Sequence, residues 1–459
     1  MILIISNDLL VYLKHQYHCR MFMSEQLTII NLPVEQKITS SDNPKRGKPK
    51  LNCAIRNQVE VRTNSLDDLL PKDHLARKVW QYVQALDLST VLLQIQSFKG
   101  DVGRSATDPK ILLSLWLYGT IEGIGSARLL SEYCVMHDAY KWICGNVNIN
   151  YHTLSDFRSK QGELFDEVLT ESVGILAHND LISLEAVSQD GMRVRAHAGA
   201  SSFKRKATLK FNLELAKMLV GDLKEEAQKN PEGSRKRREA AQKRAAEETE
   251  TKISKAITEL NEIRKSKIRS GKKELRQVKE EDLEKTRASM TDPEARVMKM
   301  AGGGFRPAYN VQYATTNIGK AIVGVDVTKS GSDQKQTIEM INQIKKRYNQ
   351  TPTKWFQDAG YNNQNEYDKV VEKHENCKIY MPCKETKNER ISMKKLRERM
   401  ETDEAKEIYK ERAATAEYVN ALARNRGMQQ FLVRGLSKVK NVALLFAIAH
   451  NMYIALGSL

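Results

Sequence analysis

Nothing in this chain marks it for a disulfide framework, a secretory route or a membrane. Its six cysteines, Cys19, Cys53, Cys134, Cys144, Cys377 and Cys383, contain no C-x2-C pair, and a disulfide scaffold is out of place in 459 residues. They read as reduced thiols of a cytosolic protein. His374, Cys377 and Cys383 form a metal-suggestive grouping, but their spacing matches no standard zinc pattern. The apolar start, Met1 to Ile5, is interrupted by Asn7 and Asp8 and lacks a basic leader and a small-residue cleavage site, which argues against a signal peptide. Met21 and Met23 are alternative starts. The longest late apolar run, residues 442–449, falls short of the roughly 20 residues a membrane span needs, and predicts a buried helix. Gly302-Gly303-Gly304 lacks the Lys-Ser/Thr of a phosphate-cradling loop and reads as a flexible joint. No Ser/His/Asp or Cys/His spacing supports a nucleophile relay, and His152 and His197 stand apart from any metal-ligand pattern.

Acidic residues are outnumbered. Lys plus Arg is 74 against 57 for Asp plus Glu, a formal net charge of +17. Such an excess favours polyanionic partners, because neutralising phosphates releases condensed counterions. A membrane surface or a ribosome meets the same charge, so charge alone does not choose. The length allows two or three domains at about 100–200 residues each.

Residues 1–64 read as a flexible basic arm around Pro44-Lys45-Arg46-Gly47-Lys48-Pro49-Lys50, with regular structure beginning near Ser65. Residues 65–178 read as a compact helical domain. Asp108-Pro109 opens a helix whose apolar positions include Ile111, Leu112, Leu115 and Trp116. Gly123 and Gly125 punctuate the next connection, and Thr153, with Asp156 three residues on, reads as the cap of a further helix. Residues 179–203 and 291–459 carry a mixed pattern: a strand up to Asp190-Gly191 with Met192 to Ala196 as its paired or continuing strand, a hairpin over 308–327 turned at Asn317-Ile318-Gly319, then alternating helix and strand to about 381 and helices beyond. That order is a mixed α/β domain. Between its parts, residues 204–290 are rich in Lys, Arg and Glu. They read as a charged helical hairpin with a turn at Asn230-Pro231-Glu232-Gly233, an apolar stripe at Ile253, Ile257, Leu260 and Ile263, and a break at Ser270-Gly271.

Three distant acidic residues share settings suited to one site. Asp190 is placed just past the first strand, Asp358 ends the strand-like run Lys354-Trp355-Phe356-Gln357, and Glu417 lies on a polar helix with Asn420 and Arg424 near its face. Each has an ordinary alternative, since Asp before Gly forms turns and Glu decorates solvated helices. Together, three carboxylates can hold two divalent ions roughly 3.5–4 Å apart for in-line phosphoryl displacement. Asp326 and Asp333, flanking the hairpin, are rival ligands.

These blocks in order resemble the bacterial insertion-sequence transposases of the DDE class. Asp108 to Leu113, Tyr118-Gly119, Gly123-Ile124 and Ser126-Ala127-Arg128 are similar to the family's helical N-terminal domain. Asp190-Gly191-Met192-Arg193-Val194-Arg195-Ala196 is similar to its first-Asp motif, Gly304 to Gln312 to the following strand entry, and Asp358-Ala359-Gly360-Tyr361 to its second-Asp motif. Tyr409-x2-Arg412-x4-Glu417-x6-Arg424 resembles the Tyr-Arg-Glu-Lys signature. Some branches have three residues between Arg and Glu. The four here set Arg412 about 140° from Glu417 on an ideal helix. Arg424 stands where Lys is usual, and residues 418–423 depart from the family's Pro and Phe-Gly positions.

The resemblance spans about 66–455 and implies an α/β fold: an RNase H-like mixed sheet with flanking helices, preceded by an all-α domain and carrying the charged insertion. It implies that Asp190, Asp358 and Glu417 bind two Mg²⁺ or Mn²⁺ ions, one activating water and then a freed 3′-hydroxyl, the other stabilising the leaving oxygen. Tyr409, Arg412 and Arg424 would hold DNA near the scissile phosphate. The helical domain, with Arg158 and His152 as its candidate contacts, would read terminal inverted repeats together with the basic arm. The expected partners are double-stranded DNA, as element ends and target, and a second copy of the chain in a synaptic complex, with no membrane. The expected place is the bacterial cytoplasm, on the nucleoid. A nuclease without strand transfer and an inactive DNA-binding derivative are the alternatives.

Overall fold

A computed structural model describes residues 65–95, 105–229, 236–273 and 279–457. The basic arm and the turn at 230–233 lie outside them. Ser65 and Asp68 cap each other reciprocally across a 3-10 turn, Leu66–Leu69. Helix α1 (Leu75–Ala85) buries Ala76, Val79 and Val83 as one stripe. Helix α2 (Pro109–Ile121) begins as the sequence predicts, with the Asp108 side chain accepting from Lys110 N and Pro109 in the first turn. It is buried at Pro109 and from Ile111 to Gly119. Four further helices follow: α3 (Ala127–Met136), α4 (Asp138–Cys144), α5 (Tyr151–Lys160) and α6 (Gly162–His178). The cap of α5 is Asn150, not Thr153: its Oδ1 accepts from His152 N at 2.8 Å, which leaves Thr153 inside the first turn.

The sheet forms around β1 (Ala186–Arg195). The other strands are β2 (Arg296–Lys299), β3 (Phe305–Thr316), β4 (Ile322–Thr328), β5 (Lys354–Phe356) and β6 (Lys378–Tyr380). Strand β3 pairs antiparallel with β1 along one edge, and its other edge takes β2 at its start and β4 beyond. On the far side of β1, β5 and then β6 add in parallel. The crossovers are α9 (Thr337–Tyr348) and α10 (Gln364–Lys373). An antiparallel meander continued by two parallel strands is the mixed sheet expected from the resemblance.

Of the two readings of the segment after Asp190-Gly191, a paired strand or a continuing one, the structure shows the continuing one: both residues lie inside β1. The ladder with β3 runs unbroken from Val187 opposite Thr316 to Arg195 opposite Ala308. Glycine is needed for packing rather than for turning: a Cβ on Gly191 would lie 2.2 Å from Asp333 Oδ1 and 2.5 Å from Gln312 Nε2.

The charged segment forms helices α7 (Lys206–Lys229) and α8 (Lys236–Lys273), which pack through Leu209, Ala216, Ile253, Ala256 and Leu260. Helix α8 is described through Ser270-Gly271 as far as Lys273, two residues beyond the expected break. The chain finishes with α11 (Ile391–Glu401), α12 (Asp403–Arg412), a π-turn (Ala413–Glu417), α13 (Tyr418–Asn425) and α14 (Leu436–Ala455). Helix α14 carries the late apolar run and is buried, as expected, packing on α2, α5, α6 and β4. One hydrophobic core therefore continues from the N-terminal helices into the sheet. Among the described residues no helix is long and apolar enough to cross a membrane.

Glu259 of α8 is buried and ties the hairpin to the sheet, receiving Arg296 of β2 and, at 3.0 Å on each oxygen, Lys329. Burial alone would raise its carboxyl; the bonds from Arg296 and Lys329 outweigh it and hold the group below the usual range. The stabilisation is thus complete above the unfolded value of about 4.3 and fades as pH falls through the lower folded value. Glu259→Gln should cost about 3 kcal/mol at pH 7. Denaturant melts of variant and wild type should show this gap, and the gap should close in acid.

Candidate active site

Strands β1 and β5 are in parallel register, with Val187 opposite Trp355 and Ser188 opposite Phe356. Two residues beyond the last of these pairs stand Asp190, still within β1, and Asp358, just past the end of β5, and both line one cleft. This is the carboxyl end of β5, where open α/β sheets collect ligands. Side chains alternate along a strand, so the preceding glutamines turn the other way and are fully buried. Gln357 Nε2 donates to Gln189 Oε1 at 2.8 Å, Gln189 Nε2 to Gln312 Oε1 at 3.1 Å, and Gln312 Nε2 to Asp333 Oδ1 at 2.8 Å. Tyr361 donates its hydroxyl to Gln312 Oε1. This amide ladder was missed in the sequence, although the dipeptide Gln-Asp occurs at both sites and was its signal.

The Asp190 carboxylate accepts from Gly191 N at 3.0 Å and from Asn420 Nδ2 at 2.9 Å, and Arg412 Nη2 lies 3.4 Å from Oδ1. Burial pushes its carboxyl up to about 6; Arg412 pulls it down, while Asp358 and Asp333 add to the rise. Asp358 caps a 3-10 turn, Ala359–Tyr361, its Oδ1 accepting from Gly360 N at 2.8 Å. Asp190, Asp333 and Asp358 line one cleft of about 520 Å³ together with Arg195, Arg306 and Arg424. Asp326, the other rival, is instead paired with Lys440 at 3.1 Å.

Glu417 is outside that cleft. Its side chain is 66% exposed and 3.8 Å from Arg412 Nη1, so Arg412 stands between Glu417 and Asp190. The expected 140° separation does not arise, because residues 413–417 form a π-turn. Hydrogen bonds from i to i+5 bring residues five apart onto one face, which absorbs the extra residue between Arg and Glu.

The other site residues divide. Tyr409 is half-buried, and its hydroxyl donates to the Gln357 carbonyl at 2.9 Å, bracing the backbone just before Asp358. Arg424 is exposed at the cleft. His152 is exposed on the first turn of α5, its ring 4.0 Å from that of Tyr151, over which Arg128 lies at 4.6 Å. Arg158 is not placed as a surface contact for DNA. It is 5% exposed, its guanidinium lies 4.2 Å over the Trp116 ring, and Nη1 donates to the Gly125 carbonyl at 2.6 Å.

Among the described residues no three His, Cys, Asp or Glu side chains come close enough together to hold a metal ion. The donors are still of the fitting kind. Carboxylate oxygens suit hard divalent ions, and Asn420 Oδ1 and Asn310 Oδ1 are buried acceptors without a hydrogen-bond donor beside Asp190 and Asp333.

Two family models match. Residues 64–160 fit one described as Transposase domain (DUF772), and residues 347–454 fit one described as Transposase DDE domain. The second spans Asp358, Arg412, Glu417 and Arg424, whereas Asp190 and the charged hairpin fall between the two. No curated protein and no solved structure matches the chain.

Two outcomes test this geometry. The native state keeps the Asp190 proton up to about pH 6, and the unfolded chain loses it near 3.9, so ionisation in place erodes stability as pH rises between them. In metal-free buffer the stability of Asp190→Asn relative to wild type should therefore shift in the variant's favour by about 2–3 kcal/mol from pH 4 to pH 7. A flat difference would contradict the burial argument. Deleting Ala414, which is exposed in the π-turn, should yield a regular helix that keeps Arg412 and Glu417 on one face, with stability within about 1 kcal/mol of the parent.

Proposed function

We propose that this chain, which belongs to the insertion-sequence transposases of the DDE class, cleaves DNA at element ends and transfers the freed strand to target DNA at the Asp190–Asp358 cleft. The observation that carries the reading is that these two aspartates, each just beyond the parallel pairing of β1 with β5, line one cleft together with basic side chains. Asp190, Asp358 and Glu417 are the proposed ligands of two Mg²⁺ or Mn²⁺ ions; Asp333 is the third carboxylate of the cleft that Asp190 and Asp358 line, and Glu417 lies outside it, beyond Arg412. Bound there, the ions would supply activation of the attacking oxygen and charge neutralisation at the leaving one.

The protein's own groups do the rest. Arg195, Arg306 and Arg424 take phosphate oxygens of the strand entering the cleft, since a guanidinium can grip them in pairs. Arg412, now shared between Asp190 and Glu417, is the cation nearest both carboxylates and joins that grip as the acidic pair is neutralised. Tyr409 fixes the backbone before Asp358, and the amide ladder behind both aspartates keeps them from moving apart. His152 and the exposed Arg128, which lies over the half-buried Tyr151 ring, give the helical region a DNA-facing group. Two ends require two active sites, so the working form is a homodimer on double-stranded DNA, in the cytoplasm on the nucleoid.

Asp358→Asn should abolish Mg²⁺-dependent cleavage of terminal-repeat DNA and leave its binding within about threefold, about 0.7 kcal/mol. Gel assays of end cleavage and filter binding measure the two. A variant that cleaves like wild type would remove Asp358 from the chemistry. Joined products with target DNA would separate transposition from simple nuclease action.

A further inference from the structure

A second cavity, of about 410 Å³, lies where the turn after α2 meets the turn after α13. Gly123 and Gly427, both at positive φ, pack backbone on backbone there: a Cβ on Gly427 would lie 2.8 Å from the Gly123 carbonyl oxygen. The cavity is lined by Trp116, Met428, Leu432 and Phe446 on its apolar side and by Arg158 and Arg426 as its charges, with no Asp or Glu in its wall. Neither guanidinium has a carboxylate partner among the described residues. Arg158 lies over Trp116 and donates Nη1 to the Gly125 carbonyl, and Arg426 lies 4.9 Å over the Tyr453 ring, yet Arg158 Nε and Arg426 Nη1 are buried without a hydrogen-bond acceptor. Cations that meet only rings and a neutral carbonyl are costly to bury unless an anion joins them.

We propose that this cavity binds one phosphorylated deoxynucleoside unit, its phosphate on Arg158 and Arg426 and its base against the apolar wall. A bare phosphate would leave that wall unused, and the volume falls in the range of small-molecule pockets, about 300–1,000 Å³. Met428 and Gln429 line both this cavity and the acidic cleft. A strand seated in the cleft thus has its neighbouring unit within reach, an argument that rests on the cleft binding DNA.

The test is equilibrium binding to the full chain of thymidine monophosphate, thymidine, inorganic phosphate and a short 5′-phosphorylated single strand. The monophosphate should bind at least tenfold tighter than thymidine or phosphate alone. Arg426→Gln should weaken it at least tenfold and Arg426→Lys less, with unchanged thermal melts. Leu432→Trp, at the half-exposed mouth, should block it without touching either arginine. Asp358→Asn should bind it as wild type does. Competition by the single strand identifies a DNA-borne unit, and its failure identifies a free nucleotide; both support the site. No binding of the monophosphate, equal binding by Arg426→Gln and Leu432→Trp, or equal binding of phosphate alone would overturn it. A wild type that cleaves end DNA yet ignores the monophosphate overturns this cavity and leaves the acidic cleft standing.

Discussion

The carboxylate of Asp190 sits in the middle of a sheet, and much of the surrounding structure answers its burial. A charge taken out of water is destabilising by several kcal/mol unless hydrogen-bonded or paired. Here the relief comes from Gly191 N, Asn420 and Arg412. Two of these three come from the last third of the chain, on helices flanking the π-turn. The relief is incomplete, since the carboxyl still stands near 6 with Asp358 and Asp333 beside it. Such tension between neighbouring acids is what a site for cationic or phosphate chemistry retains at the expense of stability.

The π-turn follows from the same demand. Arg412 and Glu417 are separated by one residue more than an α-helical turn would place on one face. A regular helix would carry the guanidinium away from Asp190 or Glu417 away from both. Widening one turn restores the juxtaposition while Asn420, three residues further, still reaches Asp190. Counting residues against an ideal 100° step foresees the mismatch, but not that the backbone would absorb it locally.

What could be read in the sequence was whatever local chemistry decides. Asp108-Pro109 dictates a helix start whatever surrounds it, Asn317-Ile318-Gly319 dictates a hairpin turn, and the lysine- and glutamate-rich insertion with its apolar stripe reads as a charged helical hairpin. What was misread depended on distant neighbours. Asp190-Gly191 looks like a turn until β3 supplies partners for both backbones, and Asp333 with Gln312 explains the glycine. Thr153 looks like a cap until Asn150 takes the position. The arginines show the limit most plainly: Arg158, Arg412 and Arg424 are chemically alike, yet one is buried over Trp116, one bridges two acids and one faces the open cleft. Burial decides a guanidinium's role, and burial is a property of the fold.

The repeated Gln-Asp dipeptide joins fold to site. On each of two parallel strands one residue turns toward the cleft and the next toward the interior, so a constraint on the inner residue is inherited by the outer one. Gln189 and Gln357 are hydrogen-bonded to each other and, through Gln312, to Asp333. A slip of one residue of β5 against β1 would turn Gln357 toward the cleft and Asp358 inward, and would break the Gln357–Gln189 bond. The inner ladder therefore holds the register that sets the aspartates side by side, and it does so with neutral groups that add no charge to an acidic site. Pre-organisation of this kind is what keeps two like-charged carboxylates together before any cation or phosphate arrives.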